Sequence, residues 1–425
     1  QVCPNCDGAL HAMGEEVRQE LKIVPAQVSL VKHIRVKYAC RHCQNEETET
    51  PIRIASMPTP AFPGSLASPS AVAHILSQKF VEGLPLYRQE RAFVRMGIAL
   101  SRQTIANWTI KGAHWLETIY DRLHALLLER DILHADESTL QVLHEPGRAA
   151  TTNSYLWLYR SGRDGRPMGA SAGCSSPTGP IALFEYQPTR AGEHPKRFLN
   201  GFRGHLHADG YAAYDQLTGV TLVGCWSHAR RGFVEALAAV PADVKNSGKK
   251  TLADQGLAFC NKLFKIERDL KDVTNEQRHA EREKRSRPRL DDFRLWLDQQ
   301  AQIVVPKSAT GQAIAYCLGQ WTKLTAFLND GRLEIDNNRA ERSIKPFVIG
   351  RKNWLFANTS KGAKASATIY SIVETAKENG LNPYAYLTYL FERLPNIDIE
   401  DQTAVDLLLP WHDQVSARCR VPSKN

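Results

Sequence analysis

The sequence lacks any apolar run long enough to cross a membrane, and no signal-peptide pattern opens its 425 residues. Internal repeats and low-complexity segments are absent too, and the hydrophobic fraction of 43% and charged fraction of 23% are those of an ordinary globular protein. These properties predict a cytoplasmic protein of about two to four domains. Because the first residue is Gln1 and not Met, we expect the natural N-terminus to be missing.

Cysteine is scarce and unevenly placed. There are nine cysteines, an odd number, and four of them fall within the first 43 residues as two Cys-x-x-Cys pairs. This distribution argues against a secreted disulfide framework and favours a reducing compartment with one metal site. Each pair places two thiolates on one tight turn, and two such turns complete a tetrahedral site, so we predict structural Zn²⁺ bound by Cys3, Cys6, Cys40 and Cys43. The stretch from Val28 to Tyr38, between the pairs, is predicted to be β-rich.

Acidic residues are outnumbered, with 45 Asp and Glu against 54 Lys and Arg, which gives a net charge of +9. A basic excess suggests a polyanionic partner such as double-stranded DNA, because neutralised phosphates release counterions. A basic protein without such a partner would have the same composition, so charge alone does not decide.

A proline-rich linker, from Ser56 to Pro69, separates the cysteine region from a helical one. The pattern predicts a helix capped by Ser70, a second from Leu86 to Met96, and a long third helix capped by Ser101. This order, with Gly97 at the turn, is typical of a helix-turn-helix, and a plain helical linker is the alternative. Ile105 and Trp108 are predicted to pack inward, and the polar candidates for DNA contact are Arg102, Gln103, Asn107 and Lys111.

From Ile132 the pattern changes to strands: three in sequence, a short helix, and two more, the last leading into SHARRGF. This succession predicts a mixed α/β sheet with the ribonuclease-H-like order. Residues 234–330 are highly charged, are predicted to be helical, and are best interpreted as an insertion. The predicted boundaries are a zinc-binding domain at 1–56, a helix-turn-helix-like region at 57–130, a core at 131–233 and 331–395 interrupted by that insertion, and a tail at 396–425.

Two aspartates follow the same tripeptide, His-Ala-Asp, on two predicted strands. Asp136 lies within an apolar strand, where a carboxylate is costly unless it is paired, and Asp209 ends another strand before Gly210. Carboxylates at strand ends can meet at one sheet edge, where they suit two-metal phosphoryl transfer with Mg²⁺ or Mn²⁺. For either aspartate alone, a turn or capping role would be the better interpretation; the pair favours function.

A third carboxylate, Glu341, falls in the first turn of a helix that Asn337 or Asn338 can cap. Lys345 shares its face and could pair with it or hold a phosphate. Glu334 and Asp336 are rival carboxylates, and Glu137 is disfavoured because it points to the opposite face of the strand from Asp136.

The segment GCWSHARRGF contains a further polar group. Cys225 and His228 are interpreted as packing and supporting groups, with zinc binding the less favoured alternative, and Arg230 and Arg231 are predicted to bind phosphate.

These residues lie in segments that resemble the transposases of the insertion-sequence-66 family over nearly the whole chain. The segments are the doubled Cys-x-x-Cys, LHADEST, HLHADGYAAYDQL, GCWSHARRGFVEAL, the closing LLPWH and, most specifically, EIDNNRAERSIKPFVIGRKNWLF with the residues that follow it. The resemblance implies a multidomain α+β protein with an N-terminal Cys₄ zinc ribbon, a helix-turn-helix-like region and a ribonuclease-H-like core with a helical insertion. It also implies that Asp136, Asp209 and Glu341 are the DDE triad, which decides against Glu334 and Asp336.

The implied activity is cleavage at transposon ends and transfer of the 3′-hydroxyl to target DNA, with two Mg²⁺ (or Mn²⁺) ions and no covalent protein–DNA intermediate. A homo-oligomer in the synaptic complex, helper proteins of the same element and action at the bacterial nucleoid are also implied. Many DDE enzymes carry a basic residue seven positions after the glutamate; here that residue is Val348, and Lys345, Arg351 or Lys352 can serve instead. Members of the family usually begin with a further helical segment, so a truncated copy is expected.

Two other functions compete with the transposase. One is a zinc and helix-turn-helix regulator whose catalytic half is inactive, which predicts DNA binding without metal-dependent nicking. The other is a ribonuclease-H-like resolvase, which predicts cleavage of junctions or hybrids without a preference for inverted repeats. The intact set of Asp, Asp and Glu favours the transposase.

Overall fold

A computed structural model describes residues 5–21, 27–45, 49, 52–163, 179–241 and 250–421. The chain divides into two compact units, residues 1–57 and 58–425. No helix in the described ranges is both long and apolar enough to cross a membrane.

The smaller unit contains a short antiparallel pair of strands, β1 (Lys37–Ala39) and β2 (Ile52–Ile54), and one helical turn, α1 (Arg41–Asn45). The predicted β-rich stretch from Val28 to Tyr38 is therefore mostly wrong, since residues 28–36 form no strand. The alternating apolar side chains of that stretch, such as Leu30 and Ile34, are exposed, because they have no sheet face to cover among the described residues.

Three helices open the larger unit: α2 (Pro69–Phe80), α3 (Leu86–Arg95) and α4 (Arg102–Leu128). Ser101 caps α4 as predicted, accepting a hydrogen bond from the Thr104 N–H. The cap of α2 is Ser68 and not Ser70, because Pro69 occupies the first helical position, where its missing N–H costs nothing. Ile105 and Trp108 are buried, as their spacing predicts.

The sheet of the larger unit contains every strand predicted after Ile132. Its strands are β3 (Ile132–His144), β4 (Asn153–Ser161), β5 (Ala182–Gln187), β6 (Gly204–Ala208), β7 (Val220–Gly224) and β8 (Ala357–Thr359). The order is β5-β4-β3-β6-β7, and β8 pairs with the far end of β3. β4 is antiparallel to β3 and β5, whereas β6 and β7 run parallel to β3. β3 is thus the central strand.

Helices connect and cover these strands. Between β5 and β8 lie α5 (Glu193–Phe198), α6 (Trp226–Ala238), α7 (Leu252–Asp269), α8 (Asn275–Arg285), α9 (Arg287–Ala301), α10 (Ala309–Gly319), α11 (Trp321–Thr325) and α12 (Asn338–Trp354). After β8 come α13 (Ser360–Glu378), α14 (Pro383–Arg393), α15 (Gln402–Asp406) and α16 (Asp413–Cys419), and 3-10 turns span Ala212–Gln216, Ala326–Asn329 and Leu394–Asn396. The highly charged segment predicted as an insertion is therefore helical, from α7 to α11.

Two hydrophobic cores hold this arrangement. The larger core joins the first three helices, the sheet and α12 to α16, and the second core is centred on Trp226, Phe233 and Phe293 of α6 and the insertion. The edge strand β5 is covered by α13, whose Ser371 and Thr375 hydroxyls accept hydrogen bonds from the backbone N–H groups of Phe184 and Ala182. A covered edge cannot pair with another chain.

A buried arginine holds the insertion together. Arg282 of α8 is 1% exposed, forms a bidentate pair with Glu267, and donates to the backbone oxygens of Phe327, Asp330 and Leu333 at 2.8–3.0 Å. Arg282→Met should lower the free energy of unfolding by about 3–5 kcal/mol, because it leaves Glu267 and these carbonyls buried without partners. Arg285 of the same helix pairs with Asp269 in a largely exposed position, so Arg285→Met should change it by less than about 1 kcal/mol. Equal losses for both variants in urea unfolding would contradict this.

Candidate active site

The three predicted carboxylates lie on three elements that meet beside the central strand. Asp136 lies within β3, and Asp209 comes directly after β6, which runs parallel to β3 with His134 opposite His207. Since each aspartate follows its histidine by two residues, both lie at the same end of this strand pair. Glu341 lies in the first turn of α12, which packs against β3.

The Asp136 side chain lies within electrostatic range of three other carboxylates. Burial is the largest cause that raises its pKa, from an ordinary 3.8 to about 8, and the negative charges of Glu137, Asp209 and Glu341 raise it further. The backbone N–H of Glu137, which donates to Asp136 Oδ1 at 2.8 Å, offsets only part of this. The structure therefore brings all three predicted carboxylates into one electrostatically coupled cluster.

The turn after Asp209 is fixed from two sides. The Tyr211 N–H donates to Asp209 Oδ1 at 2.9 Å, and the Tyr316 hydroxyl of α10 donates to the Asp209 carbonyl at 2.9 Å. Gly210 has a φ of +96°, and a Cβ there would lie 3.2 Å from the Tyr316 oxygen. A glycine is therefore required where the insertion contacts the site.

The other nearby carboxylates have partners of their own. Glu137, whose side chain is 2% exposed, pairs with Arg190 and accepts a hydrogen bond from the Tyr214 hydroxyl at 2.8 Å. Glu334 pairs with Arg339 at 2.9 Å, and Asp336 accepts hydrogen bonds from the backbone and side chain of Asn338. Glu137 and Glu334 thus have basic partners, whereas in the described part of the chain Asp136, Asp209, Glu341 and Asp336 have none at hydrogen-bonding distance, and Asp336 is held by Asn338 and Ser227 instead.

Sequence reasoning missed the residue that connects these elements. Asn337, 1% exposed, precedes the Glu341 helix and donates from Nδ2 to the Ala135 carbonyl at 2.8 Å, beside Asp136. Its Oδ1 lies 2.9 Å from His134 Nδ1, and the His134 ring stacks on that of His207 with centroids 4.2 Å apart. The signal was present in the repeated His-Ala-Asp, whose histidines prove to be buried neighbours that join the two aspartate strands.

A second group of metal-ligand side chains adjoins Glu341. Cys225 Sγ, His228 and the Glu341 carboxylate offer ligand atoms that all lie within 4.8 Å of one another. His228 Nδ1 is 3.8 Å from Glu341 Oε1, and the Arg231 guanidinium is 3.9 Å from the same oxygen. Burial raises the pKa of the Cys225 thiol to about 11.

Comparisons with known proteins identify the family of the chain. The family model described as "Transposase IS66 family" matches residues 64–365, the zinc-finger binding domain of that transposase matches residues 1–44, and the IS66 C-terminal element matches residues 371–411. The chain belongs to the IS66 transposase family.

Relatives in one bacterium extend the likeness over the full chain. The chain is 34% identical to the uncharacterized protein y4jD of Sinorhizobium fredii (strain NBRC 101917 / NGR234), over 98% of this chain and 79% of that protein. The uncharacterized proteins y4hP and y4qI of the same strain are 31% and 32% identical, over 96% and 97% of this chain and 73% and 74% of theirs. Membership of the family supports a transposase role, which implies a DNA-processing enzyme that binds DNA.

The zinc-finger domain of this IS66 transposase supports structural zinc. Cys6 and Cys40 are exposed, and Cys43 lies three residues after Cys40 in α1, where its backbone and thiol hydrogen bonds lower the pKa of Cys40. Cys3 lies outside the described residues.

The predicted DNA-contacting side chains differ in their availability. Arg102, Gln103, Asn107 and Lys111 are all exposed on α4, and Gln103 donates to Asn107 at 3.2 Å. Near the carboxylates, the exposed predicted residues are Arg230, Arg231, Lys345 and Lys352; Arg230 donates to Asn261 at 2.8 Å.

Position 348, where many DDE enzymes carry a basic residue, is a valine in this chain. Val348 is partly buried and packs against the larger core. Arg351 is held by the Thr139 backbone and hydroxyl of β3. Lys345 and Lys352 of the same helix are exposed.

Proposed function

We propose that this IS66 transposase cleaves DNA at transposon ends and transfers the 3′-hydroxyl strands to target DNA by two-metal phosphoryl transfer. The observation that carries the proposal is the convergence of Asp136, Asp209 and Glu341, close enough for the last two to raise the pKa of the first. Mutually repelling carboxylates with no basic partner at hydrogen-bonding distance are expensive unless cations neutralise them.

The proposed core fold is ribonuclease-H-like. Its support is the strand order, in which three antiparallel strands (β5, β4 and β3) continue into two that run parallel to β3. In this arrangement the central strand and its parallel neighbour present their aspartates at one edge, and a later helix supplies the glutamate.

The carboxylate cluster fits Mg²⁺, or Mn²⁺, because its donors are all oxygens. Asp136, Asp209 and Glu341 would hold these ions. When bound, such ions activate the attacking oxygen and stabilise the leaving oxygen. The protein's own contribution is placement: Asn337 and the paired histidines hold the carboxylates, and exposed Arg231 lies where a phosphate would approach Glu341.

Zinc is proposed to be held by Cys3, Cys6, Cys40 and Cys43, a closed thiolate set that suits a structural ion. The helices α3 and α4 are proposed to act as a helix-turn-helix, with the N-terminal part of α4 toward DNA. We further propose a homo-oligomer in the synaptic complex, helper proteins of the same element, and action at the bacterial nucleoid.

DNA recognition can be tested on α4. Changing Arg102, Gln103 and Asn107 together to Ala should weaken binding to transposon-end DNA by about 10- to 100-fold and binding to random DNA by much less, because base contacts carry sequence information and phosphate contacts do not. His114 and Glu117, which pair with each other further along the exposed side of α4, provide a control double-alanine variant. Equal weakening on both DNAs would show that the three residues touch only phosphate.

The activity itself is tested by incubating the full chain with DNA that carries the element's inverted repeats, with Mg²⁺ and without it. The expected result is Mg²⁺-dependent cleavage at the repeat ends and joining to target DNA. Tight binding with no cleavage would favour the inactive regulator. Cleavage of junctions or hybrids regardless of the repeats would favour a resolvase.

A further inference from the structure

Cys225, His228 and Glu341 come together where β7 passes into α6 and α12 begins. Cys225 is the residue before α6, His228 lies in the first turn of that helix, and Glu341 lies in the first turn of α12. A Cys-x-x-His spacing at a helix start directs both side chains to one point, and the facing helix supplies the carboxylate. All three ligand atoms lie within 4.8 Å of one another.

Two atoms of this group are buried without a hydrogen-bond partner. In the described part of the chain, neither His228 Nδ1 nor Glu341 Oε1 has such a partner, although both atoms are covered. They face each other at 3.8 Å, which is too long for a hydrogen bond. Leaving two such atoms unsatisfied is costly, and a cation between them would satisfy both.

The Cys225 sulfur accepts a hydrogen bond from the backbone. The Asn337 N–H donates to Sγ at 3.2 Å, which fixes the position of the buried sulfur. Because Asn337 is itself held by Ala135 and His134, the sulfur is supported by a rigid surrounding.

We propose that Cys225, His228 and Glu341 bind a zinc-class dication, at a site distinct from the zinc finger and from the oxygen-liganded ions. One sulfur, one imidazole nitrogen and one carboxylate oxygen form a donor set that suits Zn²⁺ or Co²⁺ and not Mg²⁺. Three protein ligands leave one position open, as in zinc sites that bind substrate, so a DNA phosphate oxygen can complete the coordination. Arg231, whose side chain is 52% exposed, can turn to solvent when the ion binds.

The proposed zinc-class site and the carboxylate cluster of the proposed function both use Glu341. A carboxylate has two oxygens, so it can bridge two ions. Oε1 faces His228, which leaves the other oxygen for the carboxylate cluster. The zinc-class ion would then fix the Glu341 side chain beside Asp136.

The test is the zinc content of the purified full chain, dialysed with Zn²⁺ and then freed of excess. Wild type should hold about two equivalents, one of them in the zinc finger. Cys225→Ser and His228→Ala should each hold about one, and Cys40→Ser with Cys43→Ser should remove the other. Cys317→Ala removes a buried cysteine that lies outside this cluster and should keep both.

A second measurement uses Co²⁺ on a chain whose zinc-finger cysteines are replaced by Ser. A thiolate-to-cobalt charge-transfer band should remain, and Cys225→Ser should abolish it. One zinc equivalent in wild type, removed entirely by the Cys40 and Cys43 changes, would overturn the site. So would two equivalents retained by both Cys225→Ser and His228→Ala.

Failure of the metal site and failure of the proposed function can be told apart. Asp136→Asn should keep both zinc equivalents even though cleavage is lost. If no DNA cleavage is found but the Cys225-dependent zinc is present, the metal site stands and the transposase mechanism fails. If cleavage is found but that zinc is missing, the mechanism stands and the metal site fails.

Discussion

Asp136→Asn, Asp209→Asn and Glu341→Gln are each expected to reduce strand cleavage and transfer by at least about 1,000-fold while leaving DNA affinity within about threefold. Each change keeps the size of the side chain and removes one negative charge, so one ion loses a ligand and the charge balance of both is disturbed. We propose that DNA binding depends on basic residues elsewhere, such as those on α4, so affinity should not follow the loss of cleavage.

The measurement is cleavage of end-containing DNA with Mg²⁺, beside a binding assay on the same proteins. Asp215→Asn is the matched control, since Asp215 lies six residues after Asp209 but pairs with Lys323 at the surface. Mn²⁺, which tolerates looser geometry, should restore part of the activity in the weakened variants. Cleavage at the wild-type rate by any of the three would remove that residue from the site, and full activity without divalent ions would overturn the two-metal mechanism.

Local patterns predicted much of this fold because each signal acts within a few residues. Period-two alternation located β3 and β4, and the Ser101 cap located the start of α4. Val28 to Tyr38 shows the limit: its alternation is equally clear, but a strand also needs a partner and a face to cover. Whether a partner strand and a face to cover are available depends on distant parts of the chain.

Local patterns likewise predicted one part of the candidate site and not the other. The repeated His-Ala-Asp on two strands was sufficient to predict that Asp136 and Asp209 meet, since parallel neighbours share an edge. The choice of Glu341 over Glu334 and Asp336 came from the resemblance. No local rule shows that Arg339 pairs with Glu334 or that Asn338 donates a hydrogen bond to Asp336. Asn337 was missed as a connecting residue because its contacts to Ala135 and His134 span about 200 positions of sequence.

The second large effect concerns stability: the Asp136→Asn change that should reduce cleavage should also make the metal-free protein more stable. In Mg²⁺-free buffer that retains zinc, Asp136→Asn should raise the free energy of unfolding at pH 8 by about 1–3 kcal/mol, and this gain should shrink steadily as the pH falls toward 4. Burial and the neighbouring carboxylates raise the pKa of Asp136 from 3.8 to about 8, so the folded state resists ionisation that the unfolded state permits. A tenfold change in acidity is worth about 1.4 kcal/mol, which puts the upper limit near 6 kcal/mol; relaxation and water entry reduce it.

The sign follows from proton binding. Well below pH 3.8, its ordinary pKa, the aspartate is protonated in both states and costs nothing. As the pH rises toward 8, Asp136 loses its proton in the unfolded chain but keeps it in the folded chain. Wild type therefore loses stability over this range. The Asp136→Asn variant has no titrating group at this position, so its stability does not fall for this reason. Urea unfolding of both proteins at several pH values measures the difference, with Asp215→Asn expected to track wild type.

Mg²⁺ should then reverse the order of the two proteins. An ion that binds the folded state alone stabilises it in proportion to the logarithm of its concentration over its dissociation constant. Wild type should gain stability with added Mg²⁺ and the Asn variant much less, since it has lost a ligand. An aspartate kept for structure would show neither behaviour: its replacement would destabilise the protein at pH 8, and Mg²⁺ would make no difference. The destabilisation of the metal-free cluster is thus the quantity that separates a metal-binding carboxylate from one that only supports the fold.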